Sequence, residues 1–172
     1  TCKAIADAVK SDPAAREILC GANVQNEVKI ETISSGRDIC GTVDAFNLET
    51  LILADLKTTR DADPARFSRM AQSYQYVNQL AWYRMLIHMK YGVEMRTMRL
   101  VAVETAAPYN VSVINVPLDM ILDADITNAT WFARLLECEA SGNFPGYTGG
   151  AVVEMSRSNY NNTNETDESE AA

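Results

Sequence analysis

Histidine is the scarcest chemically useful side chain in this chain: one residue, His88, in 172. With no second metal-type residue at i±4, it reads as a half-buried or surface helix residue rather than a metal ligand. The four cysteines, Cys2, Cys20, Cys40 and Cys138, are widely spaced and form no C-x-x-C pair. Neither a zinc site nor a disulfide framework is indicated, and reduced thiols are expected. No apolar run is long enough to cross a membrane, and the start has no basic segment followed by an apolar one. A cytoplasmic protein without a membrane partner is therefore the default. Positive charge is also short: formal net charge is −8, whereas a simple phosphate-binding module is usually basic.

What is present suits one folded domain. The chain is 47% apolar and has no Pro/Gly-rich linker, so residues 1–155 are expected to form one domain with a real core. Residues 156–172, with Glu165, Asp167, Glu168 and Glu170 among many Asn, Ser and Thr, lack the apolar content to fold and are expected to be a disordered acidic tail. Periodicity predicts helix over 3–19, broken at Asp12-Pro13. Strands are expected near 27–34, 38–46 and 51–57. Asp63-Pro64 supplies an N-cap and a first-turn proline for a long helix that bends near Ser73 and stops at Gly92. Two further strands, Met95–Glu104 and Tyr109–Pro117, precede a last helix over about 126–140. By itself this order establishes a mixed α+β domain.

The chemistry concentrates in two adjacent strands. Asp44 ends one apolar run, and Asp55-Leu56-Lys57 ends the next, with a hairpin-length link between them. Strand alternation puts Asp55 and Lys57 on one face and Leu56 on the other. If the strands pair, Asp44 joins them, and two carboxylates beside one lysine suit a hard cation such as Mg²⁺, which favours oxygen ligands. The alternative for Asp55 and Lys57 is a solvated strand end with a surface ion pair. Farther along, Gln79 and Tyr83 are four apart and share a helix face. Arg60, Arg66 and Arg69 follow the second strand closely, where they could hold DNA phosphates or form a solvated face. The aromatics Phe67, Tyr74, Tyr76, Trp82, Tyr83 and Tyr91 read first as core rather than as a substrate platform. Glu104 reads as a surface strand carboxylate or as part of a supporting salt bridge.

In order along residues 4–147, Asp55-Leu-Lys-Thr-Thr-Arg-Asp-Ala-Asp-Pro-Ala-Arg-Phe67, Tyr74-Gln-Tyr76, Gln79-Leu-Ala-Trp-Tyr83, Val103-Glu104, Ala107-Pro-Tyr-Asn-Val111 and Cys138-Glu-Ala-Ser-Gly-Asn-Phe-Pro-Gly-Tyr147 resemble the RecE-type (exonuclease VIII) branch of the PD-(D/E)xK nucleases. The resemblance implies an α+β (α/β) restriction-endonuclease-like core, αβββαβ, with a mixed central sheet flanked by helices. It implies catalytic roles for Asp44, Asp55, Lys57, Gln79 and Tyr83, and a metal site comprising Asp44, Asp55, Leu56 and Glu27, with Mg²⁺ as the cofactor and Mn²⁺ as an alternative. It further implies 5′-to-3′ digestion of linear double-stranded DNA by a ring-shaped homo-oligomer, leaving 3′ single strands for an annealing protein in recombination.

One departure from that pattern stands out. Members of the branch carry an upstream segment with a histidine followed by a Leu-Glu-Pro-like motif, and nothing here matches it. The chain is accordingly expected to be a fragment or processed product. Its second functional reading is a catalytically incomplete relative that keeps the fold as an interaction module.

Overall fold

The computed structural model describes residues 2–154 and divides into two compact units, residues 1–133 and 134–172. The expected acidic tail lies outside the described residues. Among the described residues no helix is long and apolar enough to cross a membrane.

The first unit is built on a five-stranded sheet in sequential order: β1 (Gln25–Ser34), β2 (Arg37–Asn47), β3 (Ile52–Thr59), β4 (Thr97–Glu104) and β5 (Val111–Val116). All neighbours are antiparallel except β3 and β4, which are parallel. A parallel pair requires a crossover. It is supplied by α3 (Pro64–Ser73) and α4 (Tyr76–Tyr91). Two shorter helices, α1 (Cys2–Ser11) and α2 (Pro13–Cys20), precede the sheet, and α5 (Leu118–Ser141) follows it.

Helix ends follow local chemistry. Asp12 and Asp63 each precede a proline and accept the N–H three residues on, from Ala15 at 2.8 Å and Arg66 at 3.0 Å. These are side-chain N-caps. The long crossover helix breaks where a bend was expected: Gln75 takes a left-handed conformation between Tyr74 and Tyr76. Gly92 closes α4 in the same conformation, its N–H bonded to the carbonyl of His88. Helix α5 begins eight residues earlier than the sequence pattern suggests. Its first turns expose Leu118, Leu122 and Ile126 while Ile121 and Ala124 are buried, so apolar residues on both faces blur the helical period.

Each face of the sheet has its own core. One packs Ile30, Val43, Phe46, Leu53 and Leu100 against Phe67, Leu80, Leu86 and Ile121, and the other packs Ala45, Ala54, Val101 and Val103 against Val9, Ile18 and Leu19. Along β2, Val43 belongs to the first core, Ala45 to the second and Phe46 to the first again. Strict alternation therefore fails around Asp44. Opposite it on β1, Glu27 has φ +53° and drops out of the ladder that pairs Asn26 with Ala45 and Val28 with Val43. In the second unit the end of α5 carries an ion pair between Arg134 and Glu137 at 3.1 Å, and Gly142 follows with φ +68°.

Candidate active site

The β2–β3 ladder pairs Asn47 with Ile52, Phe46 with Leu53 and Ala45 with Ala54, then stops. The next positions are Asp44 and Asp55. Instead of a ladder bond, the Leu56 N–H donates to Asp44 Oδ2 at 2.9 Å. The opened ladder thus turns one carboxylate toward the strand that carries the other. Leu56 enters the site through that main-chain N–H, while its side chain packs into the α1/α2 core.

Asp55 is 1% exposed, in the middle of the sheet. Lys57 Nζ stands 2.6 Å from its Oδ2, an ion-pair contact outside good hydrogen-bond alignment, and Oδ1 has no donor among the described residues. Burial pushes the Asp55 carboxyl up from 3.8 to about 6; Lys57 opposes this and the charge of Asp44 adds to it. An acidic oxygen left bare inside a protein is costly unless something electropositive completes it.

Lys57 is itself held from three sides. Besides Asp55, its ammonium donates to Gln79 Oε1 at 2.8 Å and sits 4.6 Å over the ring of Tyr76, a cation–π contact. Gln79 Nε2 then donates to the Tyr83 hydroxyl at 2.7 Å. Tyr83 is buried, and burial, with the nearby aspartates, raises its hydroxyl pKa. The Gln79–Tyr83 pair presents one face of α4 to β3, as their spacing requires.

Gly41 on β2 was not singled out from the sequence. A β-carbon there would lie 2.9 Å from Leu86 Cδ1 and 3.0 Å from Tyr83 Cε1, so α4 comes this close to the sheet only because position 41 has no side chain. Its signal was available: an isolated glycine in an apolar strand run marks a close approach.

The remaining candidates separate. Glu27 is exposed, and among the described residues no group of three or more His, Cys, Asp or Glu is assembled for a metal. The structure thus brings Asp44 and Asp55 together and does not bring Glu27 to them. Arg60 and Arg66 line a groove of about 620 Å³ beyond the end of β3. Arg66 pairs there with Asp61 at 2.6 Å, and Arg69 is exposed on α3. Among the described residues Glu104 is in no salt bridge and acts instead as a hydrogen-bond acceptor. It accepts from the main chain of Ala62 and Asn110, both at 3.2 Å, and from Asn110 Nδ2 at 2.9 Å, tying the loops after β3 and β4 together. His88 lies half-exposed beside Glu94, 2.9 Å away.

The family model described as "PDDEXK-like domain of unknown function (DUF3799)" matches residues 1–157. The chain belongs to this PDDEXK-like family. No curated protein matches the sequence. Among solved structures, the crystal structure of a "Putative exonuclease" from Eubacterium rectale superposes with a TM-score of 0.69 over 90% of this chain at 13% identity. This chain spans 61% of that protein's length. The structure of SSO0001 is 20% identical over 75% of this chain and 66% of its own length, with a TM-score of 0.36, below the likeness of a shared fold. The fold is therefore shared with that crystal structure, and PDDEXK nucleases generally use divalent metals. The donors here fit such an ion: two adjacent carboxylates, one with a buried oxygen lacking a partner. Two protein carboxylates, with water and substrate phosphate completing the shell, are a usual complement for Mg²⁺.

Proposed function

We propose that the chain is a Mg²⁺-dependent exodeoxyribonuclease acting on linear double-stranded DNA from 5′ ends, with Mn²⁺ as an alternative ion. The observation that carries this reading is the buried Asp55 carboxylate, one oxygen bare, between Asp44 and Lys57. A structural ion pair would not need a second carboxylate to be aimed at the first, nor a ladder opened to place it.

Asp44 and Asp55 would hold the metal, which when bound supplies charge neutralisation at the phosphate and a more acidic water. Lys57 has its ammonium fixed by Asp55, Gln79 and the Tyr76 ring, so it orients the attacking water or offsets charge developing on the phosphate without reorganising. Gln79 holds Lys57 in place, and Tyr83 fixes which way the Gln79 amide points. Arg60 and Arg66 would hold phosphates along the groove once Arg66 exchanges Asp61 for substrate, with Arg69 contributing from the exposed side of α3. The fold shared with the structure named "Putative exonuclease" is in keeping with this reading. The 3′ single strand left behind would pass to an annealing protein in recombination, and a ring-shaped homo-oligomer in the cytoplasm would keep the enzyme on its DNA.

The test is digestion of 5′-labelled linear duplex with Mg²⁺ or EDTA, beside Asp55→Ala. Metal-dependent nucleotide release that the variant loses is the expected result. A folded wild-type protein that releases nothing would overturn the reading.

A further inference from the structure

Two rings step outward from Lys57, with a third packed behind them. Tyr76 lies under its ammonium. Tyr74 packs against Tyr76 with ring centroids 5.8 Å apart, and Phe67 lies 6.3 Å from Tyr76 on the inner side. The left-handed Gln75 produces this arrangement. In a continuous helix, residues two apart point in different directions. The break between α3 and α4 instead sets Tyr74 and Tyr76 side by side in the wall of the groove that Arg60, Arg66 and Met70 also line.

The two tyrosines differ in one respect. Tyr76 is partly covered, whereas Tyr74 is 63% exposed: it touches Tyr76 along one side and leaves most of its ring open beside a groove that carries Arg60 and Arg66 along with Asp61. Resting on the nuclease reading above, we infer that Tyr74 is a stacking platform for an unpaired base, and that the strand reaching Lys57 enters this groove with its terminal base splayed out of the duplex. Bases inside a duplex already have both faces stacked, so an exposed ring can engage only a terminal or unpaired one. Arg60, and Arg66 once it exchanges Asp61 for substrate, lie on the same groove to hold the phosphates of that strand, the combination of cations and aromatic faces that tracks single strands. The substrate is thus a duplex end opened by at least its last base, and end fraying becomes part of recognition.

The experiment uses the full chain with Ca²⁺ in place of Mg²⁺, and 5′-phosphorylated duplexes carrying 2-aminopurine as the terminal 5′ base, either paired or mismatched. Quenching of the 2-aminopurine and tighter binding of the mismatched end are expected for wild type and Tyr74→Phe. Tyr74→Ala should lose the quenching and bind the mismatched end about 5- to 150-fold more weakly, with the fold retained because most of the ring is exposed. With Mg²⁺, its digestion of mismatched ends should fall by a similar factor. If Tyr74→Ala quenches, binds and digests as wild type does, the platform is wrong and the nuclease reading stands. If wild type shows no Mg²⁺-dependent digestion, the nuclease reading fails and takes the platform with it.

Discussion

Helix α4 carries two charged clusters, and they are built on opposite terms. On one side Gln79 and Tyr83 complete the chain from Asp55 through Lys57, where a 1% exposed carboxylate keeps an oxygen without a partner. On another, Arg84 pairs with Glu94 at 2.7 Å and Asp125 at 2.9 Å, and His88 adds a contact to Glu94 at 2.9 Å. Every carboxylate in that second cluster has a cation, and its members are 20–52% exposed. It fastens α4 to α5 and to the approach of β4, and although Arg84 Nε is buried without a partner among the described residues, each of the cluster's carboxylates is open to water. The first cluster is withheld from water and left incomplete. A fold tolerates that expense where a group must remain available.

The largest effect should come from cutting the first cluster at its centre. Asp55→Ala and Lys57→Ala are each expected to slow nucleotide release by about 10²–10⁴-fold without loss of the folded state. Digestion at the wild-type rate by either variant would remove the site assignment and make the two clusters alike. Glu27→Gln sharpens the same point, since Glu27, although opposite Asp44 on β1, is exposed and no three-residue metal group is assembled among the described residues. Its loss should be much smaller than that of Asp44→Asn, and equal losses would move Glu27 into the metal shell.

Stability should move in the opposite sense to activity. Because the folded pKa of Asp55, about 6, lies above its ordinary 3.8, folding takes up a proton between those values. Its contribution is full below pH 4 and is lost as pH rises through 6. Ionised and without metal, Asp55 then costs on the order of 3 kcal/mol. In EDTA the melting temperature of the wild type should fall from pH 5 to pH 7 more steeply than that of Asp55→Asn, which cannot ionise. Mg²⁺ should recover the difference in the wild type alone. Parallel melting profiles would mean that Asp55 is not held at a cost. A smaller effect is expected from Gly41→Ala, whose added methyl must displace Leu86 or Tyr83. It should cost about 1–3 kcal/mol and lower activity through the Gln79–Tyr83 link, and an unaltered protein would show that α4 can give way there.

Legibility in the sequence tracks how local the cause is. Asp63-Pro64 and Gly92 were readable because capping is decided within four residues. The Asp55/Lys57 face followed from strand alternation alone. The approach of Asp44 required pairing between strands, and its physical cause, the ladder opening beyond Ala45 with Glu27 in a left-handed conformation opposite, has no local signature in an acidic residue. Gly41 carried a signal but not its meaning, which depends on which helix crosses the strand there. The clamp by Glu104 stayed hidden because two of its three donors are the main-chain N–H groups of Ala62 and Asn110, which look the same in every sequence, and the third, Asn110 Nδ2, is brought in only by the turn between β4 and β5.

The smallest effect should come from the second cluster. Glu94→Gln removes one carboxylate from Arg84 and from His88 but leaves Asp125 at 2.9 Å to hold the guanidinium. Glu94 is 52% exposed, so water replaces most of what is lost, and the cost should stay below about 1 kcal/mol, with digestion unaltered. Urea midpoints and nucleotide release measured together test this. A large loss of stability would mean that Arg84, whose Nε is buried without a partner, depends on Glu94 more than the geometry implies. A loss of digestion with stability intact would be more consequential. It would mean that α4 couples its two faces, and that the position of Gln79 is set partly from the solvent side through Arg84.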